Sequence, residues 1–243
     1  MRADQPNRPT HLVLDLDPPE ADAFAMAIRA ARAVRQVLAD AGLTGALKTS
    51  GAKGLHVFVP IDDKATFEDS AAATRAVAAR AAELDPEVAT TAFVKADRRG
   101  KVFVDSTRVG GATVVAAYSP RVRPGVPVSF PVAWDDLDDI TPMDFTIHTA
   151  LRQLGDRDPW REQMPQPQRL PADLVAEGRA IPVDSRRLDG APAAALAEAC
   201  EDGVDLLVVG SRGHGPMARV VLGSVSTRLV ETSPCPVLVV PRP

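Results

Sequence analysis

The run "LVLDLDPP" (12–19) sets Asp15 and Asp17 one residue apart inside an otherwise apolar stretch, and "KVFVDS" (101–106) sets Asp105 at the end of a second one. On a strand, residues i and i+2 point the same way, so Asp15 and Asp17 share a face and Leu12, Leu14 and Leu16 take the other. Adjacent carboxylates repel, more so where water is excluded. Hard divalent cations such as Mg²⁺ and Mn²⁺ neutralise such a group, and three aspartates from two strands can serve two-metal, in-line phosphoryl chemistry. Taken singly, each aspartate is equally a strand-end turn former or a helix cap. "KTSGAKGLHVFVP" (48–60) adds Lys48, Ser50, Lys53 and His56 around a small-residue turn. Backbone N–H groups there, with the cations and the Ser and His donors, can cradle a triphosphate. The plainer alternative is an ordinary turn with His56 facing a core. "YSPRVRP" (118–124) places Arg121 and Arg123 two apart, suited to phosphate on one strand face or simply solvated there. Near the end, Gly210, Gly213, Gly223, Ser224 and Ser226 lie between an apolar strand and a helix. Free N–H groups at that helix start favour phosphate; the alternative is a plain strand-to-helix turn.

These side chains need elements to hold them. Residues 1–10 read as a polar, disordered lead-in, 11–17 as a strand, and 20–42 as a helix whose Phe24, Ile28, Ala31, Val34, Val37 and Leu38 recur at three- and four-residue steps. "GALKTS" and "LHVFVP" are strands around the "GAKG" turn, followed by an Ala-rich helix over 66–84. "TTAFVKA" and "KVFVDS" are expected to form a hairpin around "DRRG", and "TVVAAYSP" a further strand. Residues 161–187, rich in Pro and charge, read as a wrapping tail and linker with one short helix at 171–178. Beyond it, helix, apolar strand, Gly-punctuated loop, helix and apolar strand form a βαβ-like pattern, the mark of a parallel sheet.

Composition bounds the function classes. The chain has 243 residues, 45% hydrophobic but only 4% aromatic, so its cores must be built from Ala, Val and Leu. The net charge is −4, and residues 179–243 balance at 7 basic and 7 acidic. Bulk charge therefore does not hold nucleic acid here; any contact must rest on local clusters such as "KADRRGK" (95–101) and Arg121/Arg123. Cys200 and Cys235 lack metal-type spacing and read as small buried hydrophobes in a reducing cytoplasm. No run is apolar enough for a signal peptide core or a membrane span.

The quoted stretches, with "GATVVAAYSPRVRPGVPVSFPVAWDDL" and "GDRDPW…PQRLPADLVAEG", resemble the polymerase domain of bacterial ligase D proteins, a branch of the archaeo-eukaryotic primase superfamily that serves non-homologous end joining. The resemblance covers about residues 9–182. It implies an α+β module with a mainly antiparallel sheet flanked by helices, placed here at 11–160. It implies Asp15, Asp17 and Asp105 as catalytic metal ligands for Mn²⁺ or Mg²⁺. Ser50 and His56, with Lys48 and Lys53 nearby, and Arg121 of the "Tyr-Ser-x-Arg" motif would meet the incoming NTP or dNTP. The implied reaction is transfer of a nucleotide to a 3′-hydroxyl on DNA ends or a primer-template. The sequence departs from the family after Asp105, where "DSTRVGG" replaces an aromatic and a Gln-Asn pair. The family's domain also ordinarily begins well upstream with a basic module that grips a 5′-phosphate, which this reading expects to be missing.

Residues 188–243 resemble the C-terminal part of ATP-binding universal stress proteins, with Gly210, Gly213, Gly223, Ser224 and Ser226 matching its phosphate motif. That implies a partial Rossmann-like segment, ATP as ligand, and a homodimer through the final strand 235–241. Three readings follow: a polymerase carrying this segment, an ATP-binding or dimerising module with a relic polymerase part, or a joined reading frame without an assembled function.

Overall fold

The computed structural model describes residues 8–109, 114–182, 188–201, 204–210 and 223–240. The chain divides into two compact units, residues 1–93 with 97–182, and residues 94–96 with 183–243.

The first unit is built on β1 (His11–Asp17). Its even-numbered leucines, Leu12, Leu14 and Leu16, are fully buried. Helices α1 (Phe24–Asp40) and α2 (Phe67–Leu84) both pack against this strand and against each other. Helix α1 buries Phe24, Ile28, Ala31, Val34, Val37 and Leu38, the positions of the three–four repeat. Helix α2 starts at a reciprocal capping box, in which Thr66 accepts from the Asp69 N–H and Asp69 accepts from that of Thr66. Its buried face is mostly alanine, which lets neighbouring backbones approach closely.

Beside β1 lie β2 (Ala46–Thr49), β3 (Leu55–Pro60), β4 (Ala89–Thr90), β5 (Val102–Asp105) and β6 (Pro131–Val132), in the order β4-β5-β1-β3-β2-β6. Every pairing is antiparallel except β4 with β5. A mainly antiparallel sheet flanked by helices is the fold class expected.

Two local expectations fail. Residues 89–105 form no hairpin: β4 is two residues long and runs parallel to β5, so the connection must cross over. Residues Lys95–Arg98 coil into a 3-10 turn, because Arg98 bonds back to the carbonyls of Ala92 and Phe93 and stacks on Phe103. "TVVAAYSP" is not a strand over its described residues, 114–120. Tyr118 takes a left-handed φ of 66° that breaks the extension, and its hydroxyl is tied to Asp158 and to the Trp160 N–H. Arg121 and Arg123 accordingly do not share a strand face.

Past β6 the chain wraps the unit. Helix α3 spans Ala150–Leu154 and α4 spans Pro159–Gln163, while Gln168 bridges Thr44 and Pro60. Helix α5 (Ala172–Ala180) lies on α2. A Cβ on Gly178 would fall 1.8 Å from the Ala72 carbonyl oxygen, so only glycine permits this approach. Arg75 bonds the Gly178 carbonyl and Arg80 pairs with Glu177.

The second unit contains α6 (Pro192–Ala199), β7 (Leu207–Gly210), α7 (Ser224–Thr232) and β8 (Val237–Val240). The two strands pair in parallel, as the βαβ-like pattern predicts. The lead-in 1–7, Gly213 and the rest of 211–222 lie outside the described residues.

Candidate nucleotidyl-transfer site

Register aligns four side chains in one row across the sheet. Asp105 on β5 is the partner of Asp15 on β1, Asp15 of His56 on β3, and His56 of Lys48 on β2. Directly paired residues point to the same side, so the row faces away from α1 and α2. Asp17 lies two residues further along the same face, opposite Phe103.

The turn between β2 and β3 brings the row's neighbours in. The Ser50 hydroxyl accepts from the Ala52 and Gly54 N–H groups, closing the turn. A Cβ on Gly54 would sit 2.2 Å from the Leu16 carbonyl oxygen, so a glycine is needed where this turn crosses β1. Gly51 has φ +66° and leaves the space that the Arg121 side chain crosses. The Arg121 Nη1 donates to the Ser50 carbonyl.

The acidic groups are individually balanced. Lys53 lies 3.2 Å from Asp17 Oδ1 and also donates to the carbonyls of Pro18 and Pro19. Arg98 approaches Asp17 Oδ2 at 3.4 Å. Arg108 Nε is 3.0 Å from Asp105 and 3.9 Å from Asp15. Asp105, nearly buried, also accepts from the Thr107 N–H and hydroxyl. Asp15 meets His56 Nε2 at 3.3 Å. Burial alone would raise the Asp15 carboxyl; the bond from His56 and the charges of His56, Arg108 and Lys48 outweigh it and hold the group below the usual carboxylate range. Burial depresses His56, with Lys48 and Arg121 adding to it against the pull of Asp15. Burial likewise pushes Lys48 down to about 7.

Asp15 and Asp105 are thus brought together as a facing pair, with Asp17 beside them engaged by Lys53 and Arg98. Among the described residues, no group of three or more Asp, Glu, His or Cys side chains is gathered tightly enough to hold a metal ion. The oxygen donors of the facing pair fit a hard divalent cation in chemistry. Lys48 is 0% exposed and reaches no solvent, so it stands behind His56 rather than beside a phosphate. Arg108 and Ser129 escaped the sequence reading, and Arg98 entered it only as part of the basic cluster 95–101. Arg108 carried a signal, its position three residues after Asp105.

In the second unit, Gly223 is the N-cap of α7 and Ser224 its first residue. The buried Ser226 hydroxyl donates to the Gly210 carbonyl at 2.9 Å, joining the end of β7 to the start of α7. Cys200 is buried and Cys235 partly so, both as free thiols.

The first unit has the primase-polymerase fold. The family model "LigD, primase-polymerase domain" matches residues 1–160, and the chain belongs to that family. Among relatives, the multifunctional non-homologous end joining DNA repair protein LigD of Mycobacterium tuberculosis is 41% identical over 151 residues, 62% of this chain and 19% of that protein. The LigD of Pseudomonas aeruginosa is 35% identical over 172 residues, 69% of this chain and 20% of that protein. The chain therefore spans about a fifth of the length of these relatives. A solved structure, the polymerase domain from Mycobacterium tuberculosis ligase D in complex with DNA, superposes with a TM-score of 0.55 at 38% identity, covering 62% of this chain and 52% of that one. The universal stress protein family model matches residues 140–241. A universal stress protein of Methanocaldococcus jannaschii is 37% identical over 70 residues, 28% of this chain and 41% of that protein. The stress-protein match thus begins well before residue 188, although residues 140–182 lie within the first unit.

Proposed function

We propose that the first unit is a divalent-metal-dependent nucleotidyltransferase that adds an NTP or dNTP to a 3′-hydroxyl at a DNA end or primer-template. The observation carrying this reading is the row Asp105–Asp15–His56–Lys48 across four strands, with Asp17 on the same face. Asp15 and Asp105 would hold a Mn²⁺ or Mg²⁺ ion, with Asp17 as the further carboxylate. A metal there supplies Lewis-acid stabilisation of the negative charge that builds up in phosphoryl transfer. The chain's own residues bind and orient. His56 offers a ring N–H to an anionic oxygen, Ser50 and Gly54 shape the turn on which a triphosphate would lie, and Lys53 and Arg121 bring positive charge to that turn.

Primer extension on a gapped template with Mn²⁺ tests the reading. Nucleotide addition by the full chain, lost in Asp15→Asn and in Asp105→Asn, is the expected result; absence of addition at every metal and nucleotide tried removes it.

A second reading concerns the C-terminal segment, supported by the family match and by the Ser226–Gly210 bond at the start of α7. In it, residues 188–243 bind ATP through Gly210, Gly213, Gly223, Ser224 and Ser226, and pair with a second copy through the final strand. ATP retained by the Asp15→Asn chain and lost on Gly223→Val is its expected signature.

A further inference from the structure

Neither functional reading uses the chain's two cysteines, and both lie in the second unit. They are distant in sequence but arrive at the same end of its sheet. Cys200 is the C-cap of α6, in the segment leading into β7, and Cys235 lies in the segment leading into β8. The two strands pair in parallel from Leu207 with Val237, and the Leu207 N–H donates to the Pro236 carbonyl. Parallel pairing brings both strand entries, and with them both cysteines, to one side of the unit. The side chains meet there. The Cys200 thiol is hydrogen-bonded to the Cys235 thiol and to the Ser233 hydroxyl, and Ser233 Oγ lies 3.5 Å from Cys235 Sγ. The Cys235 N–H donates to Ser233 Oγ, which fixes its approach. Cys200 is 6% exposed, Cys235 is half-buried, and both are free thiols. Burial and then the Cys235 thiol raise the Cys200 thiol above its ordinary range, so Cys200 is the poorer attacker and Cys235 the one a reagent meets first.

We propose that Cys200 and Cys235 are a redox-reversible pair: a low-molecular-weight disulfide converts them to an internal disulfide that ties the end of α6 to the entry of β8 and tightens the second unit. The Cys235 thiolate attacks one sulfur of the small disulfide, whose S–S bond breaks and releases one thiolate. Cys200, as its thiolate, then attacks the Cys235 sulfur, forming the internal S–S bond and releasing the second thiolate. The two cysteine protons pass to the two thiolates released; the cysteines lose two electrons and the reagent gains them. The bond closes residues 201–234 into a loop holding β7 and α7. Few side chains of this unit are buried among its described residues, so a cross-link supplies a constraint that its core does not. The raised Cys200 thiol slows the second step, whereas the equilibrium depends on how closely the fold holds the two sulfurs. None of this rests on nucleotide addition.

The test equilibrates the full chain in mixtures of oxidised and reduced glutathione, quenches with acid and reads intact mass. The expected product is a monomer lighter by two hydrogens. Trypsin cleavage after Arg228 separates the two cysteines, so their peptides should stay joined only until a reductant is added. At half oxidation, the square of the reduced glutathione concentration over the oxidised should be at least about tenfold higher for the folded chain than for the chain in urea, because the fold holds the thiols together. This comparison needs no variant. Cys200→Ala is expected to stop at the mixed disulfide of Cys235 with glutathione. Oxidation of the wild type should slow hydrogen exchange in α6 and β8 by about tenfold or more, reversed by reductant and absent in Cys200→Ala. Equal half-oxidation values in the folded and urea-unfolded chains overturn the proposal. So does a wild type that accumulates glutathione adducts, that links two chains, or whose exchange is unchanged once the internal bond has formed.

Discussion

At the scale of the residue, the site's character comes from how its negative charge is distributed. Asp17 has two cations, whereas Asp15 and Asp105 share one, Arg108, and Asp105 is the more deeply buried. A guanidinium between two carboxylates does part of what a divalent cation would do there, so the two compete. Arg108→Gln is expected to lower the melting temperature without metal, because it leaves a buried carboxylate short of a partner. It should also enlarge the stabilisation seen on adding Mn²⁺; thermal melts with and without the ion check both. Tyr118, the chain's single tyrosine, gives a cleaner optical handle. Burial, and then its bond to Asp158, pushes the phenol from 10.0 up to about 12. Its contribution to stability is intact below pH 10 and is lost as pH rises toward 12, because only the unfolded phenol ionises in that window. Ultraviolet titration of phenolate should find the raised midpoint, and Asp158→Asn, which removes the charge that holds the phenol, should lower it. Asp15 and Asp17 were legible as one face because strand alternation is a property of the backbone, whereas their alignment with Asp105 and His56 comes only from the pairing of strands. Arg108, Ser129 and the burial of Lys48 were not legible, since the reach of one side chain across two strands depends on register, which spacing alone does not give.

At the scale of the element, two glycines hold the site's geometry through contacts that periodicity does not reveal. Gly54 crosses β1 between the two leading aspartates, and Gly178 lets α5 lie on the Ala-rich face of α2. In each case the atom a Cβ would meet is a backbone carbonyl oxygen, which cannot swing aside. Gly54→Ala and Gly178→Ala should each cost about 1–3 kcal/mol or more from overpacking, read by urea unfolding. The two should differ in consequence. Gly54→Ala should also reduce nucleotide addition beyond its effect on stability, because displacing β1 moves Asp15 and Asp17; Gly178→Ala, on the opposite side of the sheet, should not. By comparison Thr66→Ala, which breaks the capping box of α2, should cost about 1 kcal/mol. Both long helices and the three central strands were legible because their apolar repeats are long and unbroken. The 89–105 stretch was misread because "DRRG" has the composition of a tight hairpin turn, while Arg98 has stronger local partners in two carbonyls, the Phe103 ring and Asp17. "TVVAAYSP" looked like a strand for the same kind of reason: its β-branched residues favour extension, and a single tertiary anchor at Tyr118 overrides it.

At the scale of the whole molecule, the two units differ in how much they bury. The continuous apolar cluster runs through residues 12–175 and, among the described residues, takes in none of 188–240. Among the described residues of the second unit, the buried apolar side chains are Ala193, Cys200 and Leu229. Its parallel strands are alternately half-buried and exposed, with Val208, Leu238 and Val240 open on one face. Parallel sheets are ordinarily covered on both faces, and the elements of this unit among the described residues, short and with a small shared core, have little with which to offset chain entropy. Stability should therefore be unequal along the chain. Hydrogen exchange is expected to show slow amides in β1, β3, α1 and α2 and fast ones throughout β7, β8 and α7. A chain ending at Pro182 should melt cooperatively within about 2 °C of the main transition of the full chain, a shift corresponding to under about 1 kcal/mol at this size. Nucleotide addition should survive in it if Asp15, Asp17, Asp105 and His56, all in the first unit, carry the chemistry. A truncated chain that unfolds without cooperativity would show instead that the first unit does not fold independently of residues 183–243.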